Sequence, residues 1–107
     1  MTEKFIQAIK DKTKIRLTFY SKKDDENVTR LCAPMDYGPS RRKNIKDTSN
    51  KFHLWDYESP SETPFHTISL SLDQIIEMEI TDLPFNPSEF ISWATNWHIR
   101  RDWGRFS

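Results

Sequence analysis

Between residues 15 and 81, apolar and polar residues alternate with a period of two in one short run after another, and charged or proline-bearing segments separate the runs. Alternation places apolar side chains on one face of a strand, so a chain patterned this way is directed towards a small, half-buried sheet. Ile15, Leu17 and Phe19 alternate with Arg16, Thr18 and Tyr20. Residues 21–27 form a charged hairpin connection, and residues 28–33 are the return strand. Pro34 has no N–H to donate and is expected to stop that strand. Residues 52–58 carry apolar side chains on both faces, Phe52 and Leu54 on one and Trp55 and Tyr57 on the other, so each face needs cover. Residues 59–64 are a turn. Residues 65–72 alternate Ile68, Leu70 and Leu72 with Thr67, Ser69 and Ser71, and Asp73-Gln74 is a brief turn. Residues 75–81 are the last strand, with Ile76, Met78 and Ile80 expected inward and Glu77 and Glu79 outward.

Helices are expected on both flanks. Phe5, Ile6 and Ile9 form a stripe at helical spacing within residues 3–13, and Glu3 suits the positive end of the helix dipole. Asn86-Pro87-Ser88-Glu89 combines a cap residue, a proline at the first helical position and a glutamate at the third. Phe85 and Phe90 flank that cap as a hydrophobic staple, and Phe90, Trp93, Ala94 and Trp97 continue an apolar stripe. The spacing predicts a capped C-terminal helix ending near His98, followed by a Trp/Arg-rich tail over 100–106. The fold expected is mainly β with flanking helices (α+β), its five strands forming a small barrel whose closure removes exposed edges. At 107 residues the chain suits one domain.

Sixteen Lys and Arg balance sixteen Asp and Glu, which excludes a globally basic nucleic-acid binder but leaves room for a local patch. Such a patch lies in residues 35–51, where Arg41, Arg42, Lys43, Lys46 and Lys51 face only Asp36 and Asp47 among many loop-forming residues. A loop of that length is usually functional or disordered. Two isolated glycines, Gly38 and Gly104, rule out the glycine-rich phosphate loops. The single Cys32 cannot close an intramolecular disulfide and points to a reducing, cytoplasmic setting. Residues 1–12 lack the uninterrupted apolar stretch of a signal peptide, and no window approaches the roughly 20 apolar residues of a membrane span.

No catalytic or metal-binding constellation stands out. Cys32 with His53 or His66 has the composition of a nucleophile pair, but a free cysteine on a strand is ordinarily a small buried hydrophobe. His53, His66 and His98 lie in different elements without ligand spacing, and Asp56 and His53 point to opposite faces of their strand. Glu77 and Glu79 share a strand face that reads as solvated. The basic loop has the residues to meet phosphates. Trp97, His98, Arg100, Arg101, Trp103 and Arg105 interleave rings and cations, which serves either a base-stacking platform or a cap over a small barrel with arginines on tryptophans.

Several runs together resemble WYL domains. Phe5-Ile6-Gln7-Ala8-Ile9 followed by Ile15-Arg16-Leu17-Thr18-Phe19-Tyr20-Ser21 resembles their opening helix and first strand. Arg30-Leu31-Cys32-Ala33-Pro34 resembles the second strand, with an arginine four positions before a proline. Phe52-His53-Leu54-Trp55-Asp56-Tyr57-Glu58 falls where the family carries its Trp-Tyr-Leu strand, and Leu70-Ser71-Leu72-Asp73-Gln74-Ile75 resembles its Arg-Leu-Asp-Arg-Ile segment. The resemblance spans about residues 5–90. It implies a five-stranded Sm/SH3-like barrel acting as a ligand-sensing module, here without room for a fused helix-turn-helix. The tripeptide is Phe52-His53-Leu54 in this chain, and the family's two arginines are Ser71 and Gln74, which removes the cations that attract anionic ligands. Arg30, Arg41 and Arg42 are the candidate substitutes.

The function expected is therefore a non-enzymatic regulatory module that binds a small or nucleotide-like ligand and modulates a partner, with no cofactor. Tyr20, Arg30, His53, Trp55 and Tyr57 are the expected ligand-binding residues, being polar or aromatic groups on three strands. The alternative is a small single-stranded nucleic-acid binder using the 41–51 loop and the tail, with Arg41, Arg42, Lys43, Arg100, Arg101 and Trp103 as contacts. Apolar residues on both faces of the 52–58 strand also suit a homodimer.

Overall fold

The structure is a computed structural model that describes residues 1–41, 46–60 and 66–107. Helix α1, Thr2–Asp11, leads into β1, Thr13–Ser21, and β2, Glu26–Gly38. Strands β3, Lys51–Asp56, and β4, Thr67–Leu70, follow, and a 3-10 turn over Leu72–Gln74 leads to β5, Ile75–Pro84. The chain ends in a long irregular strap with short 3-10 turns at Pro87–Glu89 and Gly104–Phe106. The five strands pair antiparallel in the order β4-β3-β2-β1-β5. The architecture is thus mainly β with one N-terminal helix. Strands β4 and β5 remain the two edges, so this pairing does not close the sheet into the expected barrel.

Helix α1 stops because Lys12 adopts a left-handed conformation (φ 56°) and returns its N–H to the last-turn carbonyls of Ala8 and Ile9. Phe5 and Ile9 of the expected stripe are buried, with Ala8 rather than Ile6 completing the buried face and Ile6 only half-buried. The Phe5 ring meets Phe52 of β3 edge-on at 5.0 Å. Ile15 and Leu17 of β1, Cys32 and Ala33 of β2, and Leu54 of β3 complete the fully buried centre. Across the sheet, Ile15 pairs with Cys32, Cys32 with Asp56 and Pro34 with Leu54, which defines the core face. His53 opposite Ser69, and Trp55 opposite Thr67, project from the other face.

Three expectations are corrected. Pro34 does not end β2, which continues to Gly38. Pairing to β1 has already finished at Cys32, and a bulge against β3 lies between Pro34 and Asp36, so the missing proline N–H breaks no ladder on the open side. On β5, Ile75 rather than Ile76 is buried, while Ile76 and Ile80 are 53% and 37% exposed. Thr18 and Phe19 pair with Glu77 and Ile75, so Ile76 is the bulged residue of β5 and Ile75 sits opposite Phe19, while the edge position leaves Ile80 uncovered on one side.

The third correction is the C-terminal helix, which does not form. Its start signal is nevertheless intact: Ser88 N–H donates to Asn86 Oδ1 at 3.0 Å, and Asn86 N–H donates to Glu89 Oε1 at 2.7 Å. Phe85 and Phe90 meet at 5.9 Å as the staple requires. Only one 3-10 turn follows. Ile91, Trp93, Thr95, Asn96 and Trp97 are weak helix formers, and a helix this short is marginal without packing on one face. Tertiary contacts draw the stripe in different directions instead. Phe90 stacks on Trp55 at 5.3 Å, and Trp97 turns towards Trp103 at 5.6 Å.

Candidate ligand-binding cleft

Asp36 is the anchor of the strap. It is buried just past the β2 bulge, where its carboxylate accepts from His98 N–H at 2.9 Å and Ile99 N–H at 3.0 Å. Arg101 adds a 3.1 Å ion pair to the same carboxylate and also donates to the Met35 and Ile99 carbonyls. The Arg101 guanidinium packs against two indoles, 4.3 Å from Trp97 and 4.4 Å from Trp103. Burial pulls its pKa down to about 10 and Asp36 opposes the pull, so the guanidinium stays charged at neutral pH. Trp103 is buried and donates its indole N–H to the Ile9 carbonyl of α1 at 2.8 Å.

Pinned this way, residues 93–98 of the strap stand over the non-core face of the β3–β4 hairpin. They enclose an open cleft of about 500 Å³, walled by Trp93, Trp97 and His98 on the strap side and by His53, Thr67 and Ser69 on the sheet side. Arg41 and Asn96 add polar groups at its margin. His53 Nε2 lies 2.9 Å from the Gly38 carbonyl, which can only accept, so Nε2 donates there, and Nδ1 is hydrogen-bonded with Ser69 Oγ at 2.7 Å. His98 follows the same logic. Its Nε2 donates to the Pro39 carbonyl at 2.8 Å, and its Nδ1 accepts from Arg41 at 3.2 Å. These contacts fix the orientation of both imidazole rings, and Arg41 brings a guanidinium to the cleft. The indole of Trp93 is 42% exposed. A part-exposed ring, an oriented guanidinium and a few hydroxyl and amide groups suit a small planar ligand with negative charge.

Gly38 holds this geometry by having no side chain. A Cβ there would collide with Cγ and Cδ2 of the His98 ring. Gly38→Ala is therefore expected to displace His98 from Pro39 and Arg41 and to cost about 1–3 kcal/mol, as for other overpacked sites. Thermal unfolding checks the loss, and the His98 ring resonances check the displacement; unchanged values for both would contradict the assignment.

Of the five residues expected to bind ligand, His53 alone lines the cleft. The Tyr20 hydroxyl is bonded to Asp25 in the β1–β2 turn. Arg30 sits among Asp24 at 3.8 Å, Asp56 at 3.7 Å and the Glu58 carbonyl at 3.4 Å. Trp55 is stacked between Phe90 and His66, each 5.3 Å away, and the Lys14 ammonium lies 4.4 Å over the Tyr57 ring. Those rings are engaged within the chain. Arg41 reaches the cleft, whereas Arg42 and Lys43 lie outside the described residues. Arg100 is exposed beside a second hollow of about 430 Å³ that Arg101 also lines, but Arg101 and Trp103 are largely buried, at 8% and 4% exposure.

Cys32 is fully buried, and burial first, then Asp56 and Glu58, push its thiol far above the usual range, opposite to what a nucleophile needs. Burial likewise raises the Asp56 carboxyl, against the pull of the Glu58 N–H and Arg30. Among the described residues no group of His, Cys, Asp and Glu comes together as a metal site, and no helix is long and apolar enough to cross a membrane. No protein-family model, curated protein or solved structure matches the chain.

Trp93, Asn96, Thr67 and Ser69 are cleft residues that sequence reasoning missed as ligand contacts, and it weighed His98 only with the rings and cations of the tail. Ser69 was within reach, because the hairpin register sets it directly opposite His53. Trp93 was hidden by the helical reading of its segment.

Proposed function

We propose that the chain is a non-enzymatic, WYL-like regulatory module, built on an Sm/SH3-like barrel, that binds a small or nucleotide-like ligand in this cleft and modulates a partner in a cytoplasmic setting. The observation that carries the reading is the cleft itself, with Arg41 oriented by His98 and an indole face, Trp93, left uncovered. The antiparallel strand order and the 3-10 turn between β4 and β5 support the barrel element of the reading. The deeply buried thiol supports a non-catalytic role. Single-stranded nucleic acid is the weaker occupant, because Arg101 and Trp103 are held inside the fold.

A thermal-shift screen of mononucleotides and anionic metabolites tests the proposal. Trp93→Ala and Arg41→Ala are each expected to weaken the best ligand about tenfold, the loss of one stacking or charge-assisted contact. Both side chains are largely outside the core, so the unliganded melting temperature should hardly change. A ligand bound equally well by both variants would place the site elsewhere. Binding only to oligonucleotides, with affinity falling steeply as salt rises, would move the assignment to nucleic acid.

A further inference from the structure

The opposite edge of the sheet carries an unrelated feature. From residue 52 to residue 99 the chain contains no Lys or Arg and eight Asp and Glu, so the neutral total conceals a strong segregation of charge. Strand β5 lies in that acidic half and has β1 on one side only. Along it and the preceding turn, Leu72 (59%), Ile76 (53%), Leu83 (44%) and Ile80 (37%) are exposed large apolar residues. Glu77, Glu79 and Asp82 are exposed between them. Arg16 of β1 stands opposite Glu79, and Thr18 stands opposite Glu77. Among the described residues none of these three carboxylates forms an ion pair.

An open edge strand with apolar side chains is a template for an added strand. Its charge selects the guest. A second β5 would bring Glu77 and Glu79 against their own copies, and like charges facing across strands are destabilising. Strand β4 of a second copy, Thr67–Leu70, is short and holds no cation to answer the carboxylates. We propose that β5 docks an extended segment of a partner protein in which Lys or Arg alternates with β-branched apolar residues. Backbone hydrogen bonds would supply the pairing, Ile76 and Ile80 would cover the partner's apolar side chains, and Glu77, Glu79 and Asp82 would meet its cations. This edge lies at the far side of the sheet from the cleft, so the inference stands independently of the ligand assignment.

The test uses the full chain and a blocked peptide of about nine residues alternating Lys and Val, long enough to span a strand. Binding is read by fluorescence anisotropy, and the contacted segment by amide hydrogen exchange. The expected result is saturable binding with slowed exchange in β5 and unchanged exchange in β4. A peptide of the same composition with its lysines grouped together should bind at least about tenfold more weakly, since charge alone steers but does not register a strand. Glu77→Lys/Glu79→Lys, at two exposed positions, should reverse the preference to a Glu/Val peptide. Ile76→Thr, which keeps strand propensity, should weaken the Lys/Val peptide without altering the fold. Equal binding of both lysine peptides, protection outside β5, indifference to the charge reversal, or no binding at low salt would each overturn the proposal. Concentration-dependent dimerisation abolished by Ile76→Thr would overturn it too, in favour of a second copy.

Discussion

Arg101→Ala is expected to destabilise the protein by about 3–5 kcal/mol, the cost of leaving a buried carboxylate without its partner. Asp36 would keep the His98 and Ile99 N–H groups but lose the Arg101 guanidinium, in a site with 5% exposure. The indoles of Trp97 and Trp103 would each lose the guanidinium packed on them, and the Met35 carbonyl would lose a donor. In a domain of this size such a loss lowers the melting temperature by more than about 10 °C. Arg101→Lys retains charge but neither the planar stack nor the fork, so it should recover only part of the difference. A melting temperature within about 2 °C of the parent for Arg101→Ala would show that the strap contributes little to stability. Because the same ion pair positions residues 93–98, ligand affinity should fall together with stability.

Trp103→Ala is expected to cost a similar amount, about 3–5 kcal/mol, typical of removing a buried large aromatic. Its ring meets Phe85 edge-on at 5.5 Å and Trp97 at 5.6 Å, and its N–H reaches the last turn of α1. Trp103→Phe separates these contributions. It keeps an aromatic edge against Phe85 but takes the indole N–H from the Ile9 carbonyl, which retains the 3.3 Å bond from Lys12 N–H. A loss near 1 kcal/mol is expected for the missing hydrogen bond, plus a smaller packing loss. Chemical denaturation measures both variants. Equal midpoints for Trp103→Ala and the parent would remove the residue from the core and return it to the surface role its composition allows.

The strands were legible because burial on one face imposes a period of two on the residues themselves. Ile15, Leu17 and Phe19 read inward in the sequence and are buried in the fold. The β5 faces were misread for an equally local reason. Ile76 is an extra residue of β5 at the Thr18–Phe19 step, and the alternation of Ile76, Met78 and Ile80 carries no mark of it. The cap at Asn86 was also legible, since all its partners lie within three residues. What lay beyond the cap was not, because a nucleus of one turn has no obligation to propagate.

By itself the sequence determined the elements whose interactions are local: α1, the strand segments, the β1–β2 turn and the Asn86 cap. Each follows from periodicity or from side chains bonding to a nearby backbone. The tertiary structure alone decided the course of residues 90–107, because the contacts that hold them are remote in sequence. Asp36 binds the chain 62 to 65 residues further on, and Ile9 binds Trp103 across 94 residues. Those pairings override a helical stripe, turn a Trp/Arg tail into core, and bring Trp93 and His98 over His53 to make the cleft.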